Sequence, residues 1–306
     1  MNKIRRNAIV YFLIQGFGVA AWWLTLWLKP ESRELFLMNS DRATLLAFWM
    51  PDLVIMFAGS LVVAALISAR SSLLVPVVWF VVGATAYATL YCFSSALMTD
   101  LGWLGFVMMA GATILSGNFA IALTPQLSTE MFRTSKEGGT RWILLKTFAQ
   151  ITVVWSLILL VLPLIIVRIE SKIGISQFGF PLQLPLMAIL FVLVSSIGVS
   201  AAIVMSKIGR GTPLPLDAAP KMVVTGIYGF VRNPMAISGI GQGIVVGLML
   251  GSPLVIAYAV TGGVIWQLIY RRLEEDDLVE RFGSDYEAYR DNVRCWIPNF
   301  TRYETK

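Results

Sequence analysis

Residues 234–270 read PMAISGIGQGIVVGLMLGSPLVIAYAVTGGVIWQLIY, without one Asp, Glu, Lys or Arg. Ser252-Pro253 divides the stretch into two apolar blocks, each close to the length an α-helix needs to cross a hydrocarbon core of about 30 Å. Ser-Pro supplies a sharp turn, so the two blocks are expected to fold back on each other as a close helical hairpin. Cations stand at both ends, Arg232 before the hairpin and Arg271 and Arg272 after it. Apolar blocks bracketed by cations are the pattern of membrane spans anchored at the headgroups.

Working outward, the same pattern recurs. Eight candidate spans lie near residues 8–28, 46–69, 73–98, 101–123, 142–167, 184–205, 234–250 and 253–270. Hydrophobic residues make up 57% of the 306 positions and charged residues 14%, against about 25% charged in a soluble chain. The fold class expected is therefore all-α, a polytopic integral membrane protein ending in a helical hairpin and an amphipathic tail. Lys3, Arg5 and Arg6 precede the first block as they would in a signal peptide. That block is long and lacks a small-residue cleavage site, so it reads as an uncleaved anchor.

Net charge is +6 and the pI is near 9.4. The Lys and Arg residues lie between apolar blocks, where they meet lipid headgroups, so the balance does not point to nucleic acid. With the N-terminus cytoplasmic, Arg70, Arg133, Lys136, Arg141, Lys207, Arg210, Lys221 and Arg232 fall inside with the N-terminal cations. Lys29, Arg33, Arg42, Arg168 and Lys172 fall outside. The excess inside follows the positive-inside rule and puts both termini in the cytoplasm. The two cysteines, Cys92 and Cys295, offer neither a disulfide framework nor metal-ligand spacing. Histidine is absent, which excludes His-based triads, the common His metal sites and axial His ligation of haem; no metal site is expected.

Polar chemistry divides the chain into residues 1–141, a four-span region of unknown role, and residues 142–306, which carry the candidate site. The spans of the first region carry almost no polar chemistry; Asp52 lies close to the start of the second and Asn118 within the fourth. An ionisable group in a span is a functional hypothesis by default, but Asp52 follows Pro51 near a helix start, and the capping reading is preferred. No internal repeat is evident, which weakens a transporter reading.

In the second region polar groups gather in two segments flanking the hairpin. The first, residues 207–232, reads KIGRGTPLPLDAAPKMVVTGIYGFVR. Pro213, Pro215 and Pro220 hold it extended. Gly209-Arg210-Gly211 taken alone reads better as a helix C-cap than as a ligand cradle. Arg232-Asn233-Pro234 suits a helix start, with Asn as N-cap and Pro at the first helical position. The second segment, Arg271-Arg272-Leu273-Glu274-Glu275-Asp276-Asp277, could be a solvated helix face, yet the hairpin returns its carboxylates beside Arg232. Phe282, Tyr286, Tyr289, Val293 and Trp296 then recur at three- and four-residue steps, a stripe suited to a surface anchor at the membrane interface that could double as a lid.

The ordered set GTPLPLD, VVTGIYGFVRNPM, a two-span hairpin and LEEDDLVERFGSDYEAYRDNVRCWIP resembles the bacterial branch of the isoprenylcysteine carboxyl methyltransferase and phospholipid methyltransferase superfamily. The resemblance covers residues 209–298. It implies an S-adenosylmethionine-dependent methyltransferase in a membrane, the bacterial inner membrane for this branch, acting on a lipid or prenylated acceptor. By the resemblance, Gly209, Gly211, Glu274 and Glu275 bind S-adenosylmethionine. Arg232 and Asn233 stand where the family's catalytic motif lies, Arg232 pairing with the cofactor carboxylate and Asn233 orienting cofactor or substrate. Thr212, Tyr228, Pro234, Met235, Tyr286 and Tyr289 complete the implied cofactor site, between the GTPLPLD loop and the tail. Where the family continues with Tyr, one residue, then Gly, this chain has Ala236, Ile237 and Ser238, which removes an aromatic wall and a close-packing glycine. The acceptor stays open between carboxylate and amine; Glu274, Glu275, Asp217 or water could take an amine's proton. An NADPH-dependent reductase of the sterol reductase type and a non-catalytic transporter or scaffold are the rival readings.

Overall fold

The computed structural model describes residues 3–132, 134–135, 139–212 and 217–303; Pro213, Pro215, Arg133 and Lys136 lie outside them. Eight long helices carry the described chain: α1 (Lys3–Leu28), α2 (Arg42–Ala69), α3 (Leu74–Thr99), α4 (Trp103–Leu123), α5 (Thr140–Lys172), α6 (Gln183–Gly209), α7 (Pro234–Leu250) and α8 (Pro253–Asn292). Seven are long and apolar enough to cross a membrane, and α7, with 17 residues, is shorter. At 1.5 Å per residue α7 spans about 25 Å, the lower end of a membrane-spanning length. Large apolar side chains face outward, among them Val153 on α5 at 70% exposed and Val192 on α6 at 67%. In water those faces would be costly, and in a bilayer they meet their solvent. The protein is an all-α, polytopic integral membrane protein.

The last helix exceeds its expected length. Instead of a span ending at Tyr270 and a separate charged segment, α8 runs on through the charged residues and kinks at Gly283, which takes φ +53°, before ending at Asn292. Its part before the kink is about 45 Å long, half as long again as the hydrocarbon thickness. A π-helical stretch, Trp266–Tyr270, carries the apolar part into the charged part, so the residues from Arg271 onward lie beyond the membrane.

The chain divides into two compact units, Met1–Ser128 and Thr129–Lys306. In the first, α1, α2 and α4 are joined by buried polar contacts. Gln15 donates to Ser60 Oγ at 3.1 Å, and Ser116 donates to Gln15 Oε1 at 2.8 Å. Asp52 does not cap a helix start. α2 begins ten residues earlier, where the Asp41 side chain accepts from the Ala43 N–H, and it continues through Pro51 into a π-helical stretch, Asp52–Ala58. The Asp52 carboxylate instead accepts from Trp23 Nε1 of α1 at 2.9 Å. Asn118 donates to the Ile114 carbonyl of its own helix at 2.7 Å.

In the second unit α6, α7 and α8 run side by side, and α5 packs on α7 and α8. The expected hairpin is present between α7 and α8. Gly251 turns the chain at φ +62°, and a Cβ there would lie 1.9 Å from the Phe178 carbonyl oxygen, so only glycine fits. Ser252 then caps α8 by accepting from the Val255 N–H, and the fully buried Glu170 of α5 accepts from the Leu254 N–H at 2.9 Å. A carboxylate at that helix start opposes the positive end of its dipole. The candidate site occupies the other end of this unit.

Candidate functional site

α6 reaches that end through a π-helical turn, Met205–Gly209, and stops at Arg210, which takes the left-handed conformation at φ +61°. The capping position is therefore arginine, not glycine. Gly209 and Gly211 serve close packing. A Cβ on Gly209 would lie 2.8 Å from Ala219 Cβ, and one on Gly211 would lie 2.4 Å from Ala219 Cα. The two glycines let the returning loop seat against the end of α6, and they do not line the cavity described below.

That loop is fastened at both sides. Lys146 of α5 pairs with Asp217 at 2.6 Å, and Gln150 donates to the same carboxylate at 3.2 Å. Arg281 of α8 donates to the Ala219 carbonyl at 2.8 Å while pairing with Asp277 at 2.6 Å. The loop then buries Tyr228 and enters α7 at Asn233-Pro234. Pro234 holds the first helical position as expected, but the Asn233 side chain makes no cap bond and donates to Cys295 Sγ at 3.2 Å. Farther along, the Arg232 N–H donates to the Arg294 carbonyl and the Asn299 N–H to the Phe230 carbonyl. The tail thus lies along the loop. Tyr286, Tyr289 and Val293 are buried against Val224 rather than turned to lipid, which corrects the surface-anchor reading: the stripe is a wall.

Between α6, the loop, the start of α7 and the charged half of α8 lies a cavity of about 360 Å³, within the size range of small-molecule sites. Thr212, Tyr228, Arg232, Asn233, Pro234 and Met235 line one side, and Glu274, Glu275, Tyr286 and Tyr289 the other. Ten of the twelve residues named from the sequence thus meet around one space; Gly209 and Gly211 shape its rim from outside. On the membrane side the lining turns apolar, with Trp155, Met205, Ala236 and Trp266.

Glu275 accepts from two guanidinium groups, Arg232 Nη2 at 3.3 Å and Arg271 Nη1 at 3.2 Å. All three side chains are nearly buried, so the carboxylate is committed to holding the arginines rather than being free for a ligand. The trio keeps one net positive charge. Arg232 Nε and Nη1 are buried without a partner among the described residues, as are Thr212 Oγ1 and Tyr228 OH. Unpaired buried polar atoms are rare and costly in a folded protein, and here several border one cavity. Glu274 makes no hydrogen bond or ion pair among the described residues. Burial, reinforced by the Glu275 and Asp277 carboxylates and opposed by Arg281, pushes its carboxyl up to about 7. Burial also raises Tyr228, Tyr286 and Tyr289 well above the usual phenol range, keeping them neutral. Tyr289 donates to the Tyr228 carbonyl at 2.7 Å, tying α8 to the loop. Of the carboxyls open as proton acceptors, Glu275 and Asp217 are ion-paired, and Glu274 is not.

Residues 183–285 match the phospholipid methyltransferase family. The match begins at the first residue of α6, takes in the loop, α7 and the hairpin, and ends in α8 one residue before Tyr286. It overlaps the sequence resemblance over residues 209–285, and the first unit and α5 lie outside it. No curated protein and no solved structure matches the chain.

The departures from the phospholipid methyltransferase pattern have structural counterparts. Ala236 lines the cavity, so the missing aromatic leaves space there. Ser238 donates to the Val194 carbonyl of α6 at 2.8 Å, and a Cβ on Gly198 would lie 2.4 Å from Ser238 Oγ. The close-packing glycine of this helix pair is therefore on α6. Sequence reasoning missed Trp155 and Trp266, which sit in apolar spans where aromatic residues carry no signal. Trp155 donates to Gln242 at 2.6 Å and Gln242 to Ser195 at 2.7 Å, a chain across α5, α7 and α6. A glutamine within the α7 span was the available hint. It also missed Arg271, whose partnership with Glu275 follows from their four-residue spacing on a helix.

Proposed function

We propose that the protein is an S-adenosylmethionine-dependent methyltransferase acting at the membrane on a lipid or lipid-modified acceptor. The observation that carries the reading is the set of unpartnered buried groups around one cavity, Arg232 Nε and Nη1 with Thr212 Oγ1 and Tyr228 OH, on the stretch that matches the phospholipid methyltransferase family. The residues present fit S-adenosylmethionine. Arg232, held in place by Glu275, would receive the carboxylate through its free Nε and Nη1. Glu274 would accept from the amino group or the ribose hydroxyls. Phe282 and Tyr286, on the cavity wall, would flank the flat base. When bound, S-adenosylmethionine supplies a methyl carbon already activated by its sulfonium.

The chain's own residues then position and exclude water. Asn233, tethered to Cys295, and the Tyr228–Tyr289 contact fix the polar wall, so proximity and orientation supply much of the effect. Trp155, Met205, Ala236 and Trp266 offer an apolar surface to an acceptor whose tail stays in lipid. The charge bias between spans supports a cytoplasmic placement of this end and of both termini, open to a water-soluble cofactor.

Calorimetry on the purified full chain tests the reading. S-adenosylhomocysteine should bind, NADPH should not, and Arg232→Gln should weaken binding at least tenfold. NADPH binding in place of S-adenosylhomocysteine would establish the reductase alternative.

A further inference from the structure

The first unit holds a second cavity, of about 350 Å³, which the methyltransferase reading does not use. Its lining is apolar and rich in methionine, with Met38, Met56, Met108 and Met109. Methionine side chains adapt to irregular and varied apolar surfaces. Gly18, Ala88, Gly105 and Ala112 also line it, and these small residues leave the interior between the helices unfilled. Ile14 at 67% and Met108 at 47% exposed stand at the rim and face the lipid. At the roughly 30 Å³ that a water claims in the liquid, the space holds about a dozen non-hydrogen atoms.

Two polar residues of this lining, Tyr11 and Gln15, are hydrogen-bonded to Ser116. Among the described lining residues Asp52 is the only Asp, Glu, Lys or Arg. It lies within a span, it does not cap its helix, and it has no ion pair among the described residues; the one hydrogen bond its carboxylate accepts among them is from Trp23. An acidic side chain in a membrane interior is costly and marks a site where a partner is expected. Trp22, also on the lining, packs edge to face on Trp23 with ring centroids 4.9 Å apart, and its Nε1–H is buried without an acceptor among the described residues. The polar end of the cavity thus offers one carboxylate, the Trp22 indole ring and that ring's unused N–H donor. A carboxylate beside an indole ring suits an ammonium. The unused donor suits an oxygen close to that ammonium.

We propose that this cavity binds a small hydrophobic amine from the bilayer, its ammonium on Asp52, a neighbouring oxygen on Trp22 Nε1 and its apolar body among the methionines. The site lies wholly within the first unit and does not rest on the proposed methyl transfer.

The test uses the full chain in lipid nanodiscs, with radiolabelled 2-amino-1-decanol as the probe and decan-1-ol and decanoate as controls. Subtracting the signal of Gly18→Leu removes partition into the bilayer. A Cβ at Gly18, on the cavity lining, would meet nothing within 4 Å, so a leucine can start there and take up cavity space. The amine should bind wild type at least tenfold more tightly than decan-1-ol, and decanoate should not bind. Asp52→Asn keeps an acceptor for Trp23 and should abolish that tenfold preference, while Trp22→Phe should weaken the amine a few-fold. Thermal unfolding of each variant checks folding; should Asp52→Asn unfold, the wild-type comparison with Gly18→Leu still decides. Equal affinity for amine and alcohol, a preference that survives Asp52→Asn, or binding unchanged by Gly18→Leu would overturn the proposal.

Discussion

A carboxyl with its pKa near 7, as burial gives Glu274, is about one-tenth ionised at pH 6 and about nine-tenths ionised at pH 8. A ligand that donates hydrogen bonds to this group needs the ionised form, so affinity should rise about tenfold across that interval, or about 1.4 kcal/mol. The free protein should behave in the opposite sense. Its folded carboxyl titrates above the unfolded one, so the folded state favours the proton, and stability should fall as pH rises from about 4.5 through about 7. Glu274→Gln should remove both slopes, and it should weaken binding at pH 8 by about tenfold to a hundredfold, the worth of one charge-assisted hydrogen bond. The assay is calorimetric titration of S-adenosylhomocysteine at pH 6, 7 and 8, with thermal unfolding at the same pH values. A flat wild-type profile, or a slope that persists in Glu274→Gln, would refute the assignment of Glu274 as the ligand's acceptor.

Three further outcomes follow from the geometry. Glu275→Ala leaves Arg232 and Arg271 as neighbouring uncompensated charges, so stability should drop by about 3–5 kcal/mol, read as a lower unfolding temperature. Gly211→Ala forces a Cβ to 2.4 Å from Ala219 Cα, whereas one at Gly262 meets nothing within 4 Å. The first should destabilise by about 1–3 kcal/mol, and Gly262→Ala should be neutral or stabilising by up to about 1 kcal/mol, both by thermal unfolding. Tyr289→Phe removes the bond to the Tyr228 carbonyl and should cost about 1 kcal/mol, together with a few-fold loss of S-adenosylhomocysteine affinity in calorimetry.

The spans were legible because a bilayer imposes a length and a composition that any apolar block must meet, and the hairpin because Ser252-Pro253 interrupts two such blocks with a turn; the part Gly251 plays in that turn was not legible. The meeting of Arg232 with Glu275 was legible in outline, since the hairpin returns the end of one helix beside the start of another. Its meaning was not. Arg271, four residues before Glu275, competes for the same carboxylate, and only geometry shows that Glu275 is consumed while Glu274 is left facing the cavity. The π-helical turns at Met205–Gly209 and Trp266–Tyr270 were invisible because one extra residue per turn leaves no mark on composition. Asp52 was misread for a related reason: Pro51 signals a helix start, and here the helix had already begun at Arg42. The tail stripe was read correctly as apolar and placed against the wrong neighbour, since periodicity names a buried face without naming what covers it.

We propose that the cavity around Arg232 and Glu274 serves methyl transfer to a membrane acceptor. The decisive measurement is transfer of a labelled methyl group from S-adenosylmethionine by the purified chain, incubated with a total lipid extract and with prenylcysteine analogues. Label should appear in the lipid or prenylcysteine fraction with wild type and be lost with Arg232→Gln. Label in neither fraction, from a folded protein that also fails to bind S-adenosylhomocysteine, would contradict it.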